Sequence, residues 1–131
     1  MVDTSQSPAI GYKQVVPDRT QATLLPIIQA HTNPGTTIWS DEWAAYRRVA
    51  ALPNVTSHST VNHSVTFVAG SGTHTQNIES YWNRVKTKLK RMKGCHGHQV
   101  PSYLDEFMYR ERYGTQAYNS IIGDIAQQYP V

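Results

Sequence analysis

Two carboxylates and a run of lysines are the residues of this chain best suited to chemistry. Asp41 directly follows TTIWS, a β-branched and aromatic segment that predicts a short buried strand. Glu79 lies near the start of a predicted helix that continues into several lysines. Carboxylate oxygens are ligands that Mg²⁺ prefers, and lysines attract the phosphates of a nucleic acid. The pattern therefore indicates a metal site beside a phosphate-binding surface, although Asp41 is equally suited to be a helix N-cap.

The segment Thr73–Lys93 predicts one long amphipathic helix. Its apolar residues recur at steps of four and three, which forms one stripe on a 3.6-residue helix. This stripe, predicted to face the core, consists of Ile78, Trp82, Val85, Leu89 and Met92. Because seven residues are close to two turns, a second face carries Glu79, Lys86, Lys90 and Lys93. The pattern by itself fits a core-packed surface helix as well as a metal- and phosphate-binding one.

Composition bounds the class of protein. The chain has 131 residues, which suits one domain with a modest core, and its hydrophobic content is 39%. It contains no apolar run of membrane-spanning length and no secretory signal pattern at Met1–Tyr12, so we expect no membrane partner. A single cysteine, Cys95, excludes an internal disulfide. Half of the 12 Lys and Arg residues fall between Arg84 and Lys93, which is the footprint of a site for a polyanion.

Short strands alternate with helical segments along the chain. This order is typical of an α/β fold in which helices flank a mixed sheet. Strands are predicted at the tail Met1–Asp3, at Tyr12–Val16, at Thr36–Ser40 and near Thr56–Val61. Besides the long helix, helices are predicted from Asp18 to His31 and at Glu42–Ala51, Pro101–Tyr113 and Tyr118–Ala126. Trp43 and Trp82 are expected in the core because each falls on an apolar stripe.

Several blocks of the sequence resemble the DDE-class transposases of bacterial ISXO-like insertion sequences and their eukaryotic relatives, the Merlin transposons. The matching blocks are VVPDRTQATLLPII (Val15–Ile28), PGTTIWSDEWAAY (Pro34–Tyr46), VNHSVTFV (Val61–Val68), HTQNIESYWNRVK (His74–Lys86) and YLDEFMYRER (Tyr103–Arg112). The resemblance implies an RNase H-like mixed sheet flanked by helices. Residues 1–131 would be a single partial domain with its first strand missing, a matched core at residues 11–113 and a helical tail at residues 114–131.

The resemblance also implies roles for individual residues. Asp41 would be the second catalytic acid and Glu79 the third, and both would hold Mg²⁺ or Mn²⁺. Lys86 would match a basic residue placed two turns after the glutamate on the DNA side. The expected contacts to DNA are Lys86, Lys90, Lys93 and Arg84, and the candidate accessory residues are His63, His74 and Asn77.

The first aspartate of the family pattern has no counterpart in this sequence. Asp3 and Asp18 are the only N-terminal acids, and Asp18 is expected at the start of a helix. We therefore expect a fragment of a transposase catalytic domain that binds metal weakly and is inactive alone. The alternative is a non-enzymatic, domesticated DNA-binding remnant. The expected partners are DNA and, as an open alternative, a second copy of the chain, in the nucleus of a eukaryote or the cytoplasm of a bacterium.

Overall fold

The structure is a computed structural model that describes residues 1–61 and 76–130, and it belongs to the mixed α/β class. The helices and strands of these residues are β1 (Val2–Asp3), β2 (Ile10–Gly11), α1 (Gln21–Ala30), β3 (Thr36–Asp41), β4 (Val55–Val61), α2 (Gln76–Arg91), α3 (Val100–Tyr113) and α4 (Ala117–Gln128). They form two two-stranded sheets. The chain divides into a central unit, Val16–Ser80, and a terminal unit, Met1–Val15 with Tyr81–Val131. The α/β class is confirmed, whereas the RNase H-like arrangement and the single-domain interpretation stay predictions.

In the central unit, β3 and β4 pair in parallel. The register runs from Thr36 opposite Val55 to Asp41 opposite Val61, with one irregularity directly after Thr36. Both predicted strands are therefore confirmed, and β3 includes Asp41 as its last residue. Asp41 thus stands at the edge where the carboxyl ends of the two parallel strands meet.

Helix α1 supplies the other side of this unit's core. The Thr20 side chain caps it by accepting a hydrogen bond from the amide of Thr23, and Pro26 is accommodated inside the helix. Its buried residue, Ile28, clusters with Val49 and Val55. Partly buried side chains around this cluster are Leu25, Ile38, Tyr46 and Leu52.

The predicted α-helix at Glu42–Ala51 is wrong, because this connection contains two short 3₁₀ turns, Ala44–Tyr46 and Val49–Ala51. Backbone hydrogen bonds here join residues three apart, from the Tyr46 amide to the Trp43 carbonyl and from the Leu52 amide to the Val49 carbonyl. This is the 3₁₀ pattern rather than the α-helical one. Trp43 is correspondingly not a core residue, since it is 47% exposed.

In the terminal unit, β1 and β2 pair antiparallel, with Val2 opposite Gly11. The strand tail at Met1–Asp3 is confirmed. The predicted strand at Tyr12–Val16 is wrong because the ladder ends at Gly11. The amide of Lys13 instead donates to Met108 Sδ on α3 at 3.1 Å.

Helix α2 confirms the predicted long helix, but its limits and its buried face differ from the prediction. It ends at Arg91, and residues 73–75 lie outside the described part of the chain. Tyr81 and Val85 are its most buried residues, at 1% and 4% exposure, whereas Trp82 is 39% exposed. The predicted core position of Trp82 is therefore wrong by one residue, or about 100° of helix rotation.

A glycine explains why Tyr81 occupies the core position. A Cβ atom on Gly11 would overlap the Tyr81 ring, so only a residue without a side chain at position 11 leaves space for it. Helices α3 and α4 confirm the two predicted C-terminal helices. In residues 1–61 and 76–130, no helix combines the length and the apolar character needed to cross a membrane.

Candidate functional site

Asp41 is held in a tight turn at the carboxyl end of β3. Its Oδ1 accepts a hydrogen bond from the amide of Trp43 at 3.1 Å, and the residue is half-buried. Since no α-helix follows, the interpretation of Asp41 as a helix N-cap is wrong. The carboxyl edge of parallel strands is where ligands commonly bind in α/β folds, so its position suits a site residue.

A cleft of about 420 Å³ adjoins the turn after Asp41. The side chains that line it are Glu42, Trp43, Tyr46, Arg47, His58 and Thr60. All of them belong to the central unit. Sequence reasoning did not single out His58 or Arg47, although the two-residue period of a strand places His58 and Thr60 on one face of β4.

His58 is oriented by Ser40 on the neighbouring strand. Its Nε2 lies 2.9 Å from Ser40 Oγ, which itself donates to the Asp41 carbonyl at 2.7 Å. Because the hydroxyl hydrogen is used there, Ser40 accepts from Nε2–H, and Nδ1 of a neutral ring is left as an acceptor. Burial lowers the pKa of His58, which favours this neutral form.

Glu79 is exposed in the first turn of α2. It belongs to the central unit, as Asp41 does. Residues 62–75, which include His63 and His74, lie outside the described part of the chain, as does the side chain of Asn77. The convergence of Asp41 and Glu79 on one site and the accessory roles of these three residues therefore stay predictions.

On α2, the predicted face carries Glu79 in the first turn, followed by Lys86 and Lys90. Lys86 and Lys90 are exposed, and neither forms an ion pair within residues 1–61 and 76–130. Lys93 is also exposed, but it lies beyond the helix with a φ of 57°. Its predicted place on the helical face is wrong because the backbone enters the left-handed region there and ends the helix.

Arg84 points to a different set of partners from the lysines. It lies two residues, or about 200° of helix rotation, from Lys86. Its guanidinium is 2.8 Å from Glu111 Oε1, and its Cζ lies 5.1 Å from the centre of the Tyr81 ring. Its expected contact with DNA stays a prediction. To make that contact, Arg84 would have to leave its ion pair with Glu111.

Lys13 forms the buried part of the same cluster. Its side chain is 1% exposed, and Nζ lies 3.8 Å from Glu111 Oε2. Burial lowers the pKa of Lys13 to about 8, although Glu111 acts in the opposite direction. Burial also raises the pKa of the Tyr81 hydroxyl, and Glu111 adds to that rise. The cluster thus holds α2 and α3 together through charges rather than only through apolar contacts.

A second ion pair between the same helices is more exposed. Glu106 on α3 contacts Lys88 on α2 at 3.0 Å and Arg110 at 2.6 Å. Hydrogen bonds from Arg110 and Lys88 lower the pKa of Glu106. Lys88 is therefore occupied in a structural contact, which distinguishes it from Lys86 and Lys90.

The two N-terminal acids are each committed to local backbone structure. Asp18 accepts hydrogen bonds from the amide and hydroxyl of Thr20 and from the hydroxyl of Thr23 at 2.6–2.9 Å. It stands just before α1, which confirms its predicted place at the start of a helix. Asp3 accepts from the amide and hydroxyl of Ser5. These hydrogen bonds lower the pKa of both carboxyls.

The donor types of Asp41 and Glu79 suit Mg²⁺ or Mn²⁺, which prefer carboxylate oxygens. Within the described ranges, no group of three or more His, Cys, Asp or Glu side chains is placed to hold a metal ion. The described residues therefore do not provide a complete ligand set. Asp41 and Glu79 remain the two predicted contributors.

The chain is similar to known proteins over most of its length. Residues 1–112 match the ISXO2-like transposase domain. The chain is also 31% identical over 99 residues to a protein of Haemophilus influenzae that is named an uncharacterized transposase-like protein, and the match covers 76% of this chain and 78% of that relative. No solved structure matches the chain.

Proposed function

The chain belongs to the ISXO2-like transposase domain family, and from this premise we propose that it is part of a DDE-class catalytic domain that acts on DNA phosphodiesters. The observation that carries the proposal is the position of Asp41, a half-buried carboxylate at the carboxyl edge of β3 and β4 within the family match. A helix with Glu79 in its first turn follows. The proposed relation to ISXO-like and Merlin elements is supported by the same blocks.

The proposed architecture is an RNase H-like mixed sheet flanked by helices. It is supported by the parallel pairing of β3 and β4 and by the packing of α1 against this pair through Ile28. Such a fold places acids from a strand end and a helix start near one another. The proposal therefore assigns Asp41 and Glu79 to one site.

In the proposed mechanism, the two carboxylates contribute ligands for Mg²⁺ or Mn²⁺. When bound, such ions polarise a phosphodiester and activate water or a 3′-hydroxyl for in-line attack. The turn after β3 restrains Asp41, because its Oδ1 is fixed by the Trp43 amide. Glu79 is presented to solvent by the start of α2.

The proposed DNA contacts come from the basic residues of α2 and its end. Lys86 and Lys90 share one exposed face about one turn apart, and Lys93 follows the helix. Contacts of this kind position the backbone of DNA and carry no base-specific information. Recognition of transposon ends is therefore not assigned to these residues.

We expect this chain to have little or no activity alone. Mg²⁺ requires near-ideal octahedral placement of its ligands, and two carboxylates provide fewer ligands than the three of a DDE site. Asp3 and Asp18 are poor substitutes because both are engaged in hydrogen bonds to neighbouring residues. Weak metal binding and slow or absent turnover follow.

The test is a nicking and strand-transfer assay of the 131-residue chain with Mg²⁺ or Mn²⁺. The expected result is no product from the wild type. Turnover by the wild type would contradict the proposed inactivity. If Glu79→Gln abolished that turnover and the exposed-site control Asp105→Asn preserved it, the result would support Glu79 as the assigned acid. Turnover that persists in both Asp41→Asn and Glu79→Gln would overturn the site assignment.

A second candidate function is DNA binding without catalysis. It is favoured by the exposed face with Lys86 and Lys90, which form no ion pair among the residues of the two described ranges. This function predicts DNA affinity that depends on salt and does not change when the metal is removed by chelation. A loss of affinity on chelation would favour the catalytic domain instead.

A further inference from the structure

The cleft that follows Asp41 has the composition of a nucleotide site. Its volume of about 420 Å³ lies within the range of roughly 300–1,000 Å³ that is usual for small-ligand pockets. We propose that it binds one unpaired nucleotide of a DNA strand, with the base on Trp43 and the phosphate near Arg47. This inference rests on the proposed action on DNA and adds a form of substrate, a single-stranded or locally opened end.

Trp43 is fixed in place while much of its surface is open. Its amide is bound to Asp41 Oδ1 at 3.1 Å, and its indole Nε1–H donates to the Arg19 carbonyl at 3.4 Å. The Arg19 guanidinium lies 4.8 Å from the ring centre. The residue is nevertheless 47% exposed, so its ring is a preorganised surface on which a base can stack.

The polar residues of the cleft complement the other parts of a nucleotide. Arg47 is exposed and has no ion-pair partner in the described portion of the chain, which leaves it available for a phosphate. The Glu42 carboxylate and Nδ1 of the neutral His58 ring are acceptors suited to the amino group of a base. Arg47 in the lining and Arg19 beside the Trp43 ring balance the negative charges of Glu42 and the adjacent Asp41.

The position of the cleft explains why the nucleotide would be unpaired. Trp43 is two residues from Asp41 and is hydrogen-bonded to it, so a base on this ring lies close to the proposed reacting phosphate. A base inside a duplex is stacked on both faces, and a base at a blunt end is still paired with its partner, so neither is presented singly to an aromatic side chain. Stacking on Trp43 therefore requires a strand end or an opened step.

The test measures binding of a labelled ten-nucleotide single strand and of a blunt duplex of the same sequence, by fluorescence anisotropy with chelator present. The variants are Trp43→Leu and Arg47→Gln. A matched control is Trp39→Leu, because Trp39 is also 47% exposed but does not line the cleft. From the usual value of one base stack, Trp43→Leu should weaken single-strand binding roughly five- to 150-fold.

The expected pattern is a loss confined to the single strand in Trp43→Leu, with duplex affinity and the Trp39→Leu control unchanged. Unchanged single-strand affinity in both cleft variants would overturn the cleft assignment and leave the proposed action on DNA standing. Equal losses for single strand and duplex would overturn it as well. Absence of any DNA binding by the wild type would instead contradict the proposed function and this inference together.

Arg47→Gln decides the matter if Trp43→Leu does not fold. The side chain is exposed, so its loss should not affect folding. Removing one phosphate contact should lower the dependence of log affinity on log salt by about 0.7 for a single strand. An unchanged slope would overturn the assignment of Arg47 and of the cleft.

Discussion

The ammonium nitrogen of Lys13 lies 2.9 Å from the centre of the Tyr81 ring. Both residues are buried, at 3% and 1% exposure. The cation–π contact partly offsets the cost of burying the charge, and Glu111 at 3.8 Å adds an opposite charge. The lowered pKa of Lys13 indicates that this compensation is incomplete.

This relationship predicts an unusual pH dependence of stability. Because the pKa of Lys13 falls from 10.5 to about 8 on folding, the unfolded chain holds a proton that the folded chain releases between these values. The free energy of unfolding should therefore rise from pH 8.5 to 9.5, by about 1 kcal/mol. Above about pH 10 the raised pKa of Tyr81 reverses the trend, since only the unfolded phenol then ionises.

Urea unfolding at pH 8.5 and 9.5 measures this effect, because the lowered pKa of the Met1 amine no longer changes stability appreciably above pH 8.5. The wild type should be more stable at the higher pH, and Lys13→Met should lose the gain. The exposed-site variant Lys90→Met should retain it. An equal gain in Lys13→Met and the wild type would show that another group is responsible.

Replacement of Gly11 should disturb the same cluster sterically. Gly11→Ala places a Cβ atom on the Tyr81 ring and should lower the free energy of unfolding by about 1–3 kcal/mol. Gly123→Ala is the control, because this position lies in α4 with open space around it. That change should raise stability by about 0.5–1 kcal/mol. Chemical unfolding measures the stability of both variants. If Gly11→Ala were more stable than Gly123→Ala, the packing argument would be refuted.

Metal binding should be detectable as a change in melting temperature. A ligand that binds only the native state stabilises it by about 1.4 kcal/mol at ten times its Kd. We expect Mg²⁺ or Mn²⁺ to raise the melting temperature of the wild type and not of Asp41→Asn. Asp105→Asn, which removes an exposed acid from α3, should respond as the wild type does. If the metal still raised the melting temperature of Asp41→Asn, the ion would bind at a site that does not include Asp41.

The basic face of α2 should determine the salt dependence of DNA binding. Each lost phosphate contact reduces the slope of log affinity against log salt by about 0.9 on duplex DNA. The double variant of Lys86→Gln and Lys90→Gln should therefore lose about 1.8. Lys88→Gln is the matched control, because Lys88 already contacts Glu106 at 3.0 Å. If all three substitutions reduced the slope alike, binding would reflect total charge rather than this face.

Arg84→Gln separates the last predicted DNA contact from the others. Its guanidinium is held by Glu111 at 2.8 Å, so DNA would have to compete with that carboxylate. We expect a smaller change of slope than for Lys86→Gln, measured by the same salt titration. A change as large as that of Lys86→Gln would show that the pair opens on binding.

Periodicity and strand composition predicted most of the regular elements. A local signal was sufficient to predict these elements: β-branched residues at 36–40 for β3, and the helical period of apolar residues for α2 and α3. The position of Asp41 at a strand end was predictable for the same reason. The relation of Asp41 to Glu79 was not, because it depends on how distant segments fold together.

The errors arose where distant residues decide the outcome. Tyr81 and Trp82 are adjacent aromatic residues, and the space left by Gly11 determines which of them is buried. The apolar pattern of the connection after β3 predicts an α-helix, but that pattern does not distinguish α-helical from 3₁₀ hydrogen bonding. His58 was overlooked because its hydrogen bond to Ser40 depends on strand register.

The last turn of α2 contains Lys88, Lys90 and Arg91. The carbonyl groups at the end of a helix carry partial negative charge, which each nearby cation stabilises by about 0.3–1 kcal/mol. Lys90 thus contributes to the integrity of the helix as well as to its surface potential. Substitutions that remove these positive charges would therefore weaken the end of the helix and also reduce its attraction for polyanions. The stability of α2 and its surface charge thus depend on the same side chains.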